Sequence, residues 1–316
     1  MKLSSLLRGT LATSALAATL AACDRTQMLA AAPPAPAGQL RSWMASDAGQ
    51  QPLVYAGGDV ASYVFSLRSG KLVGTIAETS FGTCSDSNGD VFFTQVKRVV
   101  EYAHGGLTPI ASFAIPGTAY SCSVDPTSGD LAAVVFCLKK CGDEVVVLQP
   151  AGPRRIYRDR RLDSLLFCAY DASGNLFVDG YNGTQFGLTE LPKGARHFAS
   201  VTLNKTIRFG AQVQWDGQDL AVQTSEFPRI YQVSVSGSAA KIVHTIKLSG
   251  VGNRATQAWI QDGKIAVPTG QQSKRPDEIF FWDYPAGGKP IKEFEHFIGR
   301  GHQMIDGVTF SRAPGY

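Results

Sequence analysis

A strand–turn–strand unit recurs along most of this chain, and that recurrence restricts the fold more than any other feature. The clearest copy is Cys168-Ala-Tyr-Asp-Ala-Ser-Gly-Asn-Leu-Phe-Val178, which reads as a short strand, a tight turn at Asp171-Ala-Ser-Gly174 and a second strand opening at Leu176. Second strands of the same kind open at Leu53, Val91, Leu131, Leu176, Leu220 and Ile265. First strands sit at Cys84, Cys122, Cys168, Val213, Ala258 and Val308. Both series advance by 38 to 50 residues per step and give the same number of units. The turns between them are chemically suited. Asp86-Ser-Asn-Gly89, Asp125-Pro-Thr-Ser-Gly129 and Asp171-Ala-Ser-Gly174 place Asp where it can accept from backbone amides and Gly where φ is positive. Asp216-Gly217 and Asp262-Gly263 are two-residue hairpin signals.

Each unit then adds two further strands, rich in β-branched and aromatic residues. Tyr63-Val-Phe-Ser-Leu67, Val99-Val-Glu-Tyr102 and Glu144-Val-Val-Val-Leu148 are third strands; Leu72-Val-Gly-Thr-Ile76, Ile110-Ala-Ser-Phe113 and Ile242-Val-His-Thr-Ile246 are fourth strands. Four strands in about 40 to 45 residues is the pattern of a β-propeller blade, so the expected fold is an all-β six-bladed propeller. No first strand precedes Leu53 and no second strand follows Val308. Gly307-Val-Thr-Phe-Ser311 is therefore expected to pair with the blade begun at Leu53 and close the ring. A linear solenoid would need polar capping repeats instead.

The repeat does not begin at residue 1. Lys2 and Arg8 precede an apolar run from Leu11 to Ala22, too short to span a membrane comfortably. Leu20-Ala21-Ala22-Cys23 resembles the bacterial lipobox. That resemblance implies a signal peptide over residues 1–22, cleavage before Cys23, and a diacylglycerol on the Cys23 thiol. Residues 23–50, with Ala30-Ala-Ala-Pro-Pro-Ala-Pro-Ala-Gly38 inside them, read as an extended linker, in which Trp43 and Met44 break the polarity and either pack on the first blade or stay exposed, and residues 51–316 read as the propeller. Without Lys2 and Arg8, 28 basic residues face 26 acidic ones, a balance too even to imply nucleic acid as a partner. The expected partners are a membrane, through the lipid, and a protein, glycan or small polar ligand.

Leu53-Val-Tyr-Ala56, Tyr63-Val-Phe-Ser66 and Gly70-Lys-Leu-Val-Gly-Thr-Ile76 resemble the YVTN type of propeller repeat. Ser173-Gly-Asn-Leu-Phe-Val178 resembles the NHL type. Glu101-Tyr-Ala-His-Gly-Gly106, Val213-Gln-Trp-Asp-Gly217 and Trp282-Asp-Tyr-Pro-Ala-Gly-Gly288 are similar to stretches of secreted bacterial NHL-like and SMP-30-like propellers. The resemblance, over about residues 41–312, implies the fold and a place in the bacterial cell envelope; it transfers no activity.

Five cysteines follow Cys23, in a compartment where disulfides form. Cys137-Leu-Lys-Lys-Cys141 is expected to be a disulfide bracing the loop between second and third strands; a metal site is the alternative. Cys122 and Cys168 precede their turn Asp by three residues and Cys84 by two. By strand alternation Cys84 faces the other way. All three are expected to pack as small apolar residues, with a Cys122–Cys168 bridge as the other possibility.

In a blade, the loop leading into the first strand and the loop joining the second and third strands share one face, where ligands are usually held. On that face the sequence places Arg161, Asp163, Arg208, Gln212, Arg254, Gln257, His302 and Gln303, a basic and amide-rich set. There is no Gly-x-Ser-x-Gly elbow and no Gly-rich phosphate loop. The recurring Asp residues are expected to form turns, so no metal ligands, catalytic residues or cofactors are assigned. The expected function is a membrane-tethered, non-catalytic binding or scaffold module. The alternative, implied by the SMP-30-like resemblance, is a gluconolactonase-like metal-assisted hydrolase with a divalent cation in the channel.

Overall fold

The computed structural model describes residues 40–137, 143–150, 152–224, 229–250, 257–269, 278–294 and 304–313. They lie within one compact unit, Leu40–Tyr316. Apart from a 3-10 turn at Ala48–Gln50, the regular elements among the described residues are β-strands.

The strands form antiparallel four-strand meanders. β2 (Leu53–Gly58), β3 (Ser62–Ser66) and β4 (Leu72–Ile76) follow one another, and the chain's last strand, β24 (Ile305–Ser311), pairs antiparallel on the free side of β2. β5 (Gly82–Ser85), β6 (Val91–Thr94), β7 (Val96–Tyr102) and the first half of β8 (Pro109–Val124) form the next meander. The second half of β8 continues into β9 (Leu131–Phe136), β10 (Glu144–Leu148) and β11 (Arg155–Tyr157). β12 (Ser164–Tyr170) to β15 (Ala199–Leu203) follow, with β13 (Leu176–Asn182) and β14 (Gln185–Leu191) between them. Then come β16 (Gly210–Trp215), β17 (Leu220–Thr224), β18 (Arg229–Ser236) and β19 (Ala239–Lys247). The last meander is β20 (Trp259–Gln261), β21 (Lys264–Thr269), β22 (Glu278–Asp283) and β23 (Lys292–Phe294).

The turn chemistry explains the register. Asp86 Oδ1 accepts from the amides of Asn88 at 2.9 Å and Asp90 at 2.8 Å. Asp171 does the same for Ser173 and Asn175, and Asp216 for Gln218 and Asp219. Gly89, Gly129 and Gly174 close their turns at φ of 89°, 77° and 84°, where a side chain would be strained. Asp262 works differently. It adopts φ 54° itself, with Gly263 at 67°, and its carboxylate turns away to Arg312.

The apolar core is divided into layers between successive meanders. Val54, Tyr63 and Phe65 pack with Ala266, Phe281 and Phe294, while the alternate residues Leu53, Tyr55 and Val64 pack with Val91, Phe93 and Tyr102. The same two-sided arrangement continues through β8–β10, β12–β14, β16–β18 and β20–β22. Both faces of the inner strands are buried, so these strands read as continuous apolar runs.

Three expectations need correction. First, residues 42–50 are not linker. β1 (Trp43–Met44) pairs with β4, Ser42 Oγ accepts from the Ala77 amide at 2.9 Å, and Ala48 is fully buried. The Ala/Pro composition on which the linker reading rests stops before them. Second, β8 runs unbroken from the expected fourth strand at Ile110–Phe113 into the expected first strand at Cys122, so no separate loop leads into that first strand. Third, Cys84 and Cys122 form a disulfide, and Cys168 is a buried free thiol. Cys122 and Cys168 both point back toward the preceding meander, onto Phe92 O and Ala132 O respectively. Residues on equivalent faces of neighbouring meanders never meet. Cys84, on the opposite face of its strand, points forward and meets Cys122. Cys137 is also disulfide-bonded, while Cys141 lies outside the described residues.

Candidate functional site

The residues expected on the leading-loop face separate into two groups. Gln212 and Gln257 do not face solvent; they are 4% and 3% exposed. Gln212 donates to Ala258 O at 2.6 Å and accepts from Ala258 N at 2.7 Å, so its amide imitates a strand partner for the next meander. Gln214 repeats this on Ile260. Gln257 does it on Thr83. From sequence, a Gln at the start of an inner strand looks like a ligand contact. A buried primary amide facing a strand edge is satisfied there instead. Arg161, Asp163 and Arg208 are exposed on the leading loops. Arg254, His302 and Gln303 lie outside the described residues, as does Cys23.

Arg161 belongs to a cleft of about 280 Å3 lined by Asp159, Leu162, Gln185–Thr189, Ser200–Leu203, Lys205 and Thr206, with Asn182. The cleft exists because β15 leaves β14. The two strands are paired only over Leu188↔Val201 to Glu190↔Ala199; beyond that, Thr202 and Leu203 turn to pair in parallel with Ala239 and Ala240 of β19. A Cβ at Gly187 would meet the end of the Leu162 side chain, which packs against this wall.

The buried part of the cleft holds a polar cluster built on Asp159, whose side chain is 2% exposed. Its carboxylate accepts from Arg161 Nε at 2.8 Å and Nη2 at 2.6 Å, from the Arg161 amide at 3.0 Å, and from Thr189 Oγ1 at 2.7 Å. Burial alone would push this carboxyl up, but the bonds from Arg161 and Thr189 outweigh it and hold the pKa below the usual carboxylate range. Arg161 also reaches Thr189 Oγ1 and, through Nη1, Ser200 Oγ. Asp163 anchors the same loop by accepting from the Gly183 amide at 2.8 Å, while its own amide donates to Tyr181 O at 2.7 Å. The sequence reading found Arg161 and missed Asp159, Thr189, Ser200 and Lys205. The Asp-x-Arg spacing at Asp159–Arg161 was the one signal present.

Two other polar groups are structural. His104 hydrogen-bonds through Nδ1 with Ser311 Oγ at 2.6 Å and donates from Nε2 to Gln51 O at 3.1 Å, joining the start of β2 to the end of β24. Asp179, fully buried on β13, accepts from the Phe167 amide at 2.7 Å, where β12 bulges between Leu165 and Cys168. Burial pushes its pKa up to about 7. Among the described residues, no three His, Cys, Asp or Glu converge as metal ligands would, and no helix is long and apolar enough to cross a membrane.

No known protein family matches the chain, and no curated protein matches it. Solved structures do. A protein of unknown function from Bacteroides caccae is similar over 83% of this chain and 99% of its own, with a TM-score of 0.62 and 12% identity. The β-propeller domain of Cps50 (Swd1) from Myceliophteria thermophila is similar over 82% of this chain and 86% of its own, with a TM-score of 0.53 and 13% identity. U3-55K is similar over 83% and 82%, with a TM-score of 0.55 and 8% identity. At these identities the likeness concerns the backbone alone, and together with the stacked antiparallel meanders it shows that the chain folds as a β-propeller.

Proposed function

We propose that the meanders form a six-bladed ring, closed by β24 on β2, and that this ring is a lipid-tethered module of the bacterial envelope. It binds a protein, glycan or small polar ligand on the face that carries the leading loops. The closure is supported by the antiparallel pairing Leu53↔Ser311 to Ala56↔Val308 and by the apolar layer joining β2–β3 to β21–β22. The tether rests on the lipobox-like Leu20-Ala21-Ala22-Cys23. The observation that carries the binding role is the cleft at the β14–β15 divergence. There a buried acid holds Arg161 in place while 43% of the arginine side chain stays open to solvent. A preorganised cation lined by hydroxyls and amides is equipped to recognise a polar group.

The test uses the full chain in its bacterial host. Cys23→Ser is expected to release the protein from membranes into the soluble envelope fraction. Affinity capture from detergent-solubilised envelopes is then compared for the unaltered chain and a Thr202→Trp variant, whose indole fills the cleft. A component retained by the former and lost by the latter supports the role. Identical recoveries from both would remove the cleft as its basis.

A further inference from the structure

The cleft has strand edges for walls. The hairpin at Gly183-Thr184 is closed by Asn182↔Gln185, so along β14 Gln185, Gly187 and Thr189 turn their backbone groups toward β13. Phe186, Leu188 and Glu190 turn theirs the other way. Leu188 and Glu190 meet β15, whereas the ladder ends before Phe186. On the opposite wall, the amides of Thr202 and Asn204 donate to Ser238 O at 2.8 Å and Ala240 O at 2.9 Å. Leu203, between them, therefore turns its N–H and C=O away from β19 and toward the gap. The backbones of Phe186 and Leu203 thus border a slot between two diverging strands. Such an edge is a template for a further extended chain.

The head of the slot has a charge preference. Arg161 has five N–H donors; the bonds to Asp159, Thr189 and Ser200 use four of them and leave one on Nη1. Asp159 neutralises the guanidinium, and the exposed Lys205 leaves the lining with one net positive charge. The volume, about 280 Å3, is small for a ligand site and admits a chain end or a small group.

We infer that this slot takes the C-terminal end of an extended peptide: its main chain pairs with the edges at Phe186 and Leu203, and its terminal carboxylate meets Arg161 beside the buried Asp159. The inference rests on the binding role proposed above and names the ligand class for the same cleft. One carboxylate complements the net charge, and main-chain amides complement the open edges; a neutral sugar brings no charge, and a simple anion brings no extended chain.

The experiment uses the full chain in detergent, immobilised, with a pool of random octapeptides bearing free C-terminal carboxylates and a matched pool of C-terminal amides. Retained peptides are sequenced by mass spectrometry, and representatives are titrated by fluorescence anisotropy. Free-carboxylate peptides are expected to bind at least tenfold more tightly than their amides. Thr202→Trp should weaken them at least tenfold, and Arg161→Lys, which keeps the charge but loses the fork, at least fivefold, measured at a temperature where a melting curve shows the variant fully folded, since Asp159 loses bonds as well. Equal binding of both pools, or binding indifferent to Thr202→Trp, overturns the inference. So does full competition by sodium acetate at peptide-like concentrations, which would mark a simple anion site. If envelope capture still depends on Thr202 while both peptide pools fail, the binding role stands and the peptide assignment falls.

Discussion

Gln257 grips Thr83 from across another strand: its side-chain amide accepts from Thr83 N and donates to Thr83 O, both at 2.8 Å, passing over Gly307. Its own backbone pairs with β24, accepting from Val308 N at 3.2 Å. One residue therefore holds the segment before β20, β24 and β5 together. A Cβ at Gly307 would collide with Gln257 Oε1, so the glycine is there to let the amide through. Gln257→Ala strands a buried N–H and C=O on Thr83 and is expected to cost about 2–4 kcal/mol. Gly307→Ala should cost a similar amount by displacing the same amide. The two losses should be far from additive in a double-mutant cycle read by urea denaturation. Additive losses would mean that the clasp and the glycine are independent.

The Cys84–Cys122 bridge ties two meanders at a sequence separation of 38 residues. A loop of that size is worth roughly 3–4 kcal/mol in the chain-entropy account. Replacing both cysteines by alanine should lower stability by about that amount. Cys168 is different in kind: it is wholly buried and its thiol is pushed up to about 12. Its peptide should stay unlabelled by iodoacetamide at pH 8 in the native protein and become labelled in denaturant. Rapid native labelling would show that the meanders around β12 open far more easily than their packing implies.

How much of this was legible beforehand follows the physics of each signal. The repeat was readable because alternation, β-branched runs and Asp/Gly turns are local properties. The pairing of Cys84 with Cys122 was not. It depends on which face of one meander meets which face of the next, and spacing from the turn Asp gives the facing without the neighbour. Gln212 and Gln257 were misread for the same reason, since an amide's partner lies 46 or 174 residues away. The cleft was invisible because it comes from β15 pairing in parallel with β19, a departure that no motif encodes.

Asp179 should give the fold a pH signature. Its folded-state pKa, about 7, lies above the model-peptide value of 3.8 because burial disfavours the charged form. The native state therefore binds more protons than the unfolded chain between those values. The contribution is fully present below about pH 4 and is lost as pH rises through about 7. Asp179→Asn keeps an oxygen to accept from Phe167 N and removes the charge. It should be more stable than the unaltered protein at pH 8 and have a flatter profile in urea denaturation between pH 4.5 and 8. An unchanged profile would mean that Asp179 titrates normally.

Residues 42–50 should behave as part of the propeller, and a pair of truncations separates them from the linker. Two chains, beginning at Leu40 and at Gln51, would be exported behind the same unrelated cleavable signal, so that the disulfides can form. The first keeps β1 on β4, the Ser42–Ala77 bond and the buried Ala48. It should match the parent chain in denaturant midpoint. The second uncovers the outer edge of β4 and the pocket that Ala48 fills beside Leu53, Tyr55 and Tyr102. Losing two strand pairs, one side-chain bond and a buried methyl at about 0.5–1.5 kcal/mol each predicts a deficit of several kcal/mol. It should also increase self-association, because an uncovered strand edge is a template for pairing. Equal midpoints for the two truncations would return residues 42–50 to the linker.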